Sequence, residues 1–161
     1  MKKISVVIGI LVGVAVLCIA FNAKSQSTTQ TKQSMKLNAG IITSRLAETK
    51  AFYTKNLNFE VSFENDFYLL LHTPNQQAQL AFLLPNHASQ QPLFQTAFAG
   101  KGVFLTIEVP DVEAEYKRIK ALKIPIVIEL REEPWGDKHF AIVDPNGVGI
   151  DIVTYTAPPK E

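Results

Sequence analysis

Apolar and polar positions along the chain fall into short blocks, each of which predicts one element of secondary structure. Leu37 to Thr43 reads as a strand, with Leu37, Ala39 and Ile41 on one face and Asn38, Gly40 and Ile42 on the other. Ser44 is suited to cap a helix from about Arg45 to Asn56, whose apolar stripe is Leu46, Phe52 or Tyr53, and Leu57. Three strands follow near Glu60 to Glu64, Phe67 to Thr73 and Gln79 to Leu84, separated by turn signals at Asn65-Asp66 and Pro74-Asn75. The second half repeats this order. Val103 to Val109 is a strand, and Asp111 caps a helix in which Val112, Tyr116, Ile119 and Leu122 recur at helical spacing. Glu113 and Glu115 suit the positive N-terminal end of that helix. Strands near Ile126 to Glu129, Lys138 to Val143 and Val148 to Thr154 complete the pattern, the last two joined by Asp144-Pro145-Asn146-Gly147. The expected class is α+β, built as two βαβββ modules in tandem at about 37–84 and 103–154 within one domain of residues 36–155.

The first stretch of the chain has a different pattern. Lys2 and Lys3 precede a largely apolar run from Ile4 to Phe21, and Asn22 to Ser27 is small and polar. This order matches an export signal, with small-residue cleavage positions after Ser25 or Ser27, although 18 residues also reach the lower limit of a membrane span. Residues 1–25 are therefore read as a signal peptide or N-terminal anchor, 26–35 as a polar linker and 156–161 as a tail. Either reading exports the domain, which is expected to be periplasmic or otherwise extracytoplasmic, or held on the inner membrane if the segment stays. Membrane contact is expected only through that segment.

Composition narrows the chemistry. With 47% apolar and 19% charged residues, ten Phe and one Trp, the 161 residues can bury a real core. A net charge of +1 gives no electrostatic argument for nucleic acid. Cleavage would remove Lys2, Lys3 and Lys24 and no acid, leaving 13 basic against 15 acidic residues. It would also remove Cys18, the sole cysteine, and with it any disulfide, zinc-thiolate site or thiol nucleophile. Ala15-Val16-Leu17 lacks the small residue that a lipid-modification box places before its cysteine, so Cys18 reads as one more apolar residue. The sequence has no Gly-x-Ser-x-Gly elbow, P-loop or dinucleotide fingerprint.

Three segments carry a family resemblance: Phe52-Tyr53-Thr54-Lys55-Asn56-Leu57-Asn58-Phe59, Glu108-Val109-Pro110-Asp111-Val112, and Trp135-Gly136-Asp137 followed by Asp144-Pro145-Asn146-Gly147. In this order the chain resembles the vicinal-oxygen-chelate superfamily, which includes glyoxalase I, bleomycin-resistance proteins and extradiol dioxygenases. The resemblance covers about residues 37–155. It implies modules that form a curved mixed sheet around a central cavity, and it fixes no single reaction. Such modules commonly pair across edge strands, so a homodimer is among the expected partners.

Strand alternation indicates what would line the cavity. Val103, Leu105, Ile107 and Val109 are all apolar and suited to cover a helix, which turns Phe104, Thr106 and Glu108 the other way. The last strand likewise turns Gly149, Asp151 and Val153 away from its helix. If the Asp144 to Gly147 turn sets a simple hairpin register, Phe140 lies across from Asp151 on that face and His139 points away. The resemblance implies four metal-ligand positions, which fall here on Asn38, Ala81, Phe104 and Asp151. Ala81 and Phe104 cannot bind a metal, and a two-residue slip would bring in Gln79 without replacing Phe104. His72, His87 and His139 match no ligand spacing. No metal and no other cofactor is therefore expected.

The expected function is binding of a small, partly aromatic organic molecule without a catalytic metal, as in the bleomycin-resistance members. Phe104, Phe140 and Trp135 would form the wall, and Asn38, Thr106, Glu108 and Asp151 the orienting polar groups. The alternative is an enzyme, a glyoxalase-like lyase or isomerase with an atypical metal site, or one related to the dioxygenases. An exported interaction module with a vestigial pocket is a third class.

Overall fold

The computed structural model describes residues 36–156, so the expected export segment and linker, and the tail beyond Thr156, lie outside the described residues. The first module runs β1 (Ala39–Ile42), α1 (Leu46–Asn56), β2 (Glu60–Glu64), β3 (Tyr68–His72) and β4 (Gln79–Leu83). The second runs β5 (Phe104–Glu108), α2 (Val112–Ala121), β6 (Ile128–Glu132), β7 (Lys138–Val143) and β8 (Gly149–Thr154). The strands divide into two four-stranded sheets, ordered β1-β4-β3-β2 and β5-β8-β7-β6. In each, the first strand pairs parallel with the last and the remaining pairs are antiparallel. No helix among the described residues is long and apolar enough to cross a membrane.

Each sheet turns one face to its helix, and alternation supplies the core. Tyr53 of α1 is fully buried against Phe82 of β4 and Phe59, with ring centroids 5.3 Å apart in both pairs. In the second module Phe140, Ile142, Ile150 and Ile152 are buried together with Ile119 of α2, and Tyr116 meets Phe140 edge-on at 5.3 Å. Each such side chain contributes about 1.5–3 kcal/mol of burial. Asp111 caps α2 as expected, accepting from the Ala114 N–H at 2.9 Å.

Three local expectations are corrected. Ser44 does not cap α1; Arg45 holds the N-cap position, and its N–H donates to the hydroxyl of the buried Thr43 at 3.0 Å. Strand β6 starts at Ile128, because Pro125 has no N–H to donate and the ladder begins where the Val127 N–H reaches Ala141 O at 2.8 Å. Leu122 ends α2 half-exposed and does not continue its buried stripe.

Buried polar groups join the modules. Asp144, 4% exposed at the end of β7, accepts from the Tyr53 hydroxyl at 3.2 Å, the Asn146 and Val148 N–H groups at 2.8 and 2.9 Å, and Asn146 Nδ2 at 2.9 Å. Asn146 in turn accepts from Thr43 Oγ1 at 2.7 Å and donates to Thr49 Oγ1 at 3.1 Å. Burial, reinforced by Asp144, raises the Tyr53 pKa beyond the ordinary tyrosine range, so its hydroxyl stays a donor. Arg118 of α2 adds a bond to Asn56 O at the end of α1, at 2.6 Å.

The same turn fixes the register of the site. The Asp144 N–H donates to Val148 O at 2.9 Å and the Gly147 N–H to Asp144 O at 3.1 Å, with Gly147 at φ +84°. Pro145-Asn146-Gly147 is thus a three-residue loop whose left-handed position glycine fills without strain. Ala141 consequently faces Asp151, Phe140 faces Ile152 and His139 faces Val153. The expected register is off by one residue, and in a strand one residue exchanges the faces. Phe140 belongs to the core under α2, and His139 belongs to the open face.

Candidate functional site

Strand β5 alternates as its sequence predicts. Phe104, Thr106 and Glu108 are exposed on the face away from α2, opposite Gly149, Asp151 and Val153 respectively. Phe104 leaves 71% of its surface open. Behind it the sheet continues to Ala141 and His139 of β7 and Ile128 of β6. Phe104, Ile128, His139, Ala141, Gly149 and Asp151 line a recess of about 300 Å3. Gly149 sits directly beside Phe104 in the ladder, and a Cβ there would lie 3.6 Å from Phe104 Cβ, an ordinary contact distance.

The remaining expected site residues are placed elsewhere. Asn38 is exposed just before β1 in the other sheet, and no first-module residue lines this recess. Trp135, 64% exposed, sits on the β6–β7 turn with its indole N–H donating to Asp137 Oδ2 at 2.9 Å. Phe140 is fully buried against Tyr116 and cannot form a cavity wall.

His139, expected to point away, is bracketed by two carboxylates. Its Nδ1 lies 2.7 Å from Asp151 Oδ1 and its Nε2 lies 2.9 Å from Glu133 Oε1. Arg131 Nε also lies 3.3 Å from His139 Nε2, so the row accommodates two ring states: an imidazolium donates to both carboxylates, and the neutral ring keeps its N–H on Nδ1 for Asp151 while Nε2 accepts from Arg131. The His139 pKa is raised, first by the hydrogen bond to Asp151 and further by that to Glu133, while partial burial pulls the other way. The Glu133 carboxyl is held below its usual range, chiefly by His139 and then by Arg131, whose guanidinium pairs with it. Arg131, Glu133, His139 and Asp151 thus form a row of alternating charge. Sequence reasoning missed three of its members. Glu133 lies in a turn outside strand alternation, Arg131 follows the bulge in β6, and His139 depended on the loop register. The available signal was the Pro-Asn-Gly loop, which fits three residues ending in a left-handed glycine as readily as two.

The metal positions implied by the resemblance do not assemble into a site. Ala81 is buried in β4, Phe104 is an open ring, and one oxygen of Asp151 is engaged by His139. Among the described residues no group of three or more His, Cys, Asp or Glu is placed to hold a metal ion. The arrangement suits holding a flat apolar group against Phe104 with polar atoms at one side.

Comparison with known proteins bears on the same fold. The family model described as Glyoxalase/Bleomycin resistance protein/Dioxygenase superfamily matches residues 37–152. Comparison with curated proteins gave no match. Among solved structures, a glyoxalase/bleomycin resistance protein/dioxygenase from Nocardioides is 17% identical with a TM-score of 0.64, covering 82% of this chain and 92% of its own. A lactoylglutathione lyase from Agrobacterium tumefaciens is 19% identical with a TM-score of 0.61, over 75% of this chain and 94% of its own. A bleomycin-binding protein complexed with bleomycin is 20% identical with a TM-score of 0.56, over 76% of this chain and all of its own. At these identities the solved structures establish the fold alone. The family match spans both βαβββ modules and includes the Asp144 turn that joins them, and the chain belongs to the Glyoxalase/Bleomycin resistance protein/Dioxygenase superfamily.

Proposed function

We propose that this protein binds a small, partly aromatic organic molecule in the recess of the second sheet, without a catalytic metal. The observation that carries the reading is Phe104, an aromatic ring left 71% open at the edge of a 300 Å3 recess, with the Asp151 carboxylate one position farther on the same face. Aromatic stacking supplies about 0.5–1.5 kcal/mol beyond area burial, and a few polar groups beside such a wall fix orientation. Thr106, Asp151 and Glu108 fill that polar role without Asn38, and of the expected wall Phe104 lines the recess while Phe140 and Trp135 do not. Support from the family comes through the bleomycin-binding structure, which has the same fold.

The test is a thermal-shift and fluorescence screen of aromatic antibiotics and metabolites, with protein purified without chelator and Trp135 as the single indole reporter. Hits are expected on metal-free protein, and Phe104→Ala is expected to weaken them about tenfold or more. One equivalent of tightly bound metal that is lost with Asp151→Ala would overturn the reading in favour of a metal-dependent lyase or isomerase. Hits that bind Phe104→Ala unchanged would remove the recess as the site.

The domain is further proposed to work outside the cytoplasm, on the strength of the Lys2-Lys3 start and the apolar run to Phe21. N-terminal sequencing of the native protein should begin at Gln26 or Thr28, or find the uncut chain in the membrane fraction. An intact Met1 in the cytosol would refute export.

A further inference from the structure

We propose that His139 is a specificity-determining residue of the recess: its proton sets the charge of the Arg131–Glu133–His139–Asp151 row, so that aromatic molecules carrying a cationic amine are preferred as pH rises and lose that preference as it falls. The inference rests on the reading of the recess as a ligand site. Asp151 Oδ1 is held by His139 at 2.7 Å, while Oδ2 makes no hydrogen bond among the described residues and the side chain is 30% exposed. That oxygen lies beside a ring stacked on Phe104, because the Thr106–Asp151 pair follows the Phe104–Gly149 pair by one step on the same face and Asp151 lines the recess with Phe104. With His139 protonated, the two cations and two anions of the row sum to zero. Deprotonation leaves a charge of −1 and a single ring N–H for two carboxylates.

Each neighbouring element contributes a known charge to this face. Strand β6 places Arg131 opposite His139, the β6–β7 turn places Glu133, and β8 places Asp151 and the apolar Val153. Strand β5 adds Glu108, exposed and opposite Val153. Lys138 pairs with Glu113 at the start of α2, on the helix side of the sheet, and supplies no cation here. An ammonium at Asp151 Oδ2 therefore opposes the proton that His139 holds against Asp151 Oδ1. Linkage makes the effect reciprocal: binding the amine expels the proton, and losing the proton tightens the amine. The carboxylates raise the proton affinity of His139 from its ordinary value, which moves the change toward higher pH.

The experiment is calorimetric titration of the full chain with 2-naphthylmethylamine, 2-naphthylmethanol and 2-naphthoate between about pH 6 and about pH 9 at constant ionic strength, in buffers of differing ionisation enthalpy to count protons. The amine should tighten roughly threefold to tenfold with rising pH and release a proton, the alcohol should stay level, and the acid should weaken. His139→Gln should fix the row at −1 and make the amine tight and pH-independent. Glu133→Gln removes one carboxylate and should move the amine transition to lower pH, which serves as the test by itself if His139→Gln does not fold. Parallel pH trends for all three probes, or a His139→Gln protein that keeps the wild-type trend, would overturn the inference while leaving the ligand site standing. Binding of none of the three would remove the site and this inference together.

Discussion

Asp144→Ala is expected to lower stability by about 3–5 kcal/mol. One carboxylate accepts from the Tyr53 hydroxyl, two backbone N–H groups and the Asn146 amide, at 2.8–3.2 Å. Hydrogen bonds to a charged group contribute about 1.5–3 kcal/mol each and are not additive within a network. Its removal leaves the fully buried Tyr53 hydroxyl without an acceptor and the β7–β8 loop without its internal brace. Tyr53→Phe keeps the ring packed against Phe59 and Phe82 and deletes only the donor, so it should cost about 1 kcal/mol. Urea unfolding of the three proteins measures both values. If Asp144→Ala cost less than about 1.5 kcal/mol, the turn would not be the tie between the modules.

Phe140→Ala should cost about 3–5 kcal/mol, because it empties a fully buried site between β7, β8 and α2. Phe104→Ala, two strands away on the open face, should change stability by less than about 1 kcal/mol while weakening ligand binding about tenfold or more. The pair tests the register directly. A two-residue loop would put both rings on the recess, and their truncations would then have similar small costs and similar losses of binding. In the three-residue register the two effects separate: Phe140 carries stability and Phe104 carries recognition. Equal effects in urea unfolding and ligand titration would restore the shorter loop.

The sequence by itself determined whatever depends on local period and composition. The strand–helix–three-strand order appears twice because alternation and helical spacing are properties of a few consecutive residues, and the α2 cap at Asp111 follows from its side chain and its place alone. The open face of β5 was legible for the same reason, since four apolar residues at every second position leave Phe104, Thr106 and Glu108 only one direction. Tertiary structure decided what depends on a count or on distant neighbours. One extra loop residue at Gly147 exchanged Phe140 for His139 at the site, and nothing within the strand itself, Lys138–Val143, specifies that count. Thr43 and Thr49 look like surface residues until Asn146, about a hundred positions away, gives their hydroxyls partners and makes their burial affordable. Glu133, His139 and Asp151 became one charged row only when β6, β7 and β8 were laid side by side, because a hydrogen bond between side chains is decided by distance in space, and sequence separation carries none of that information.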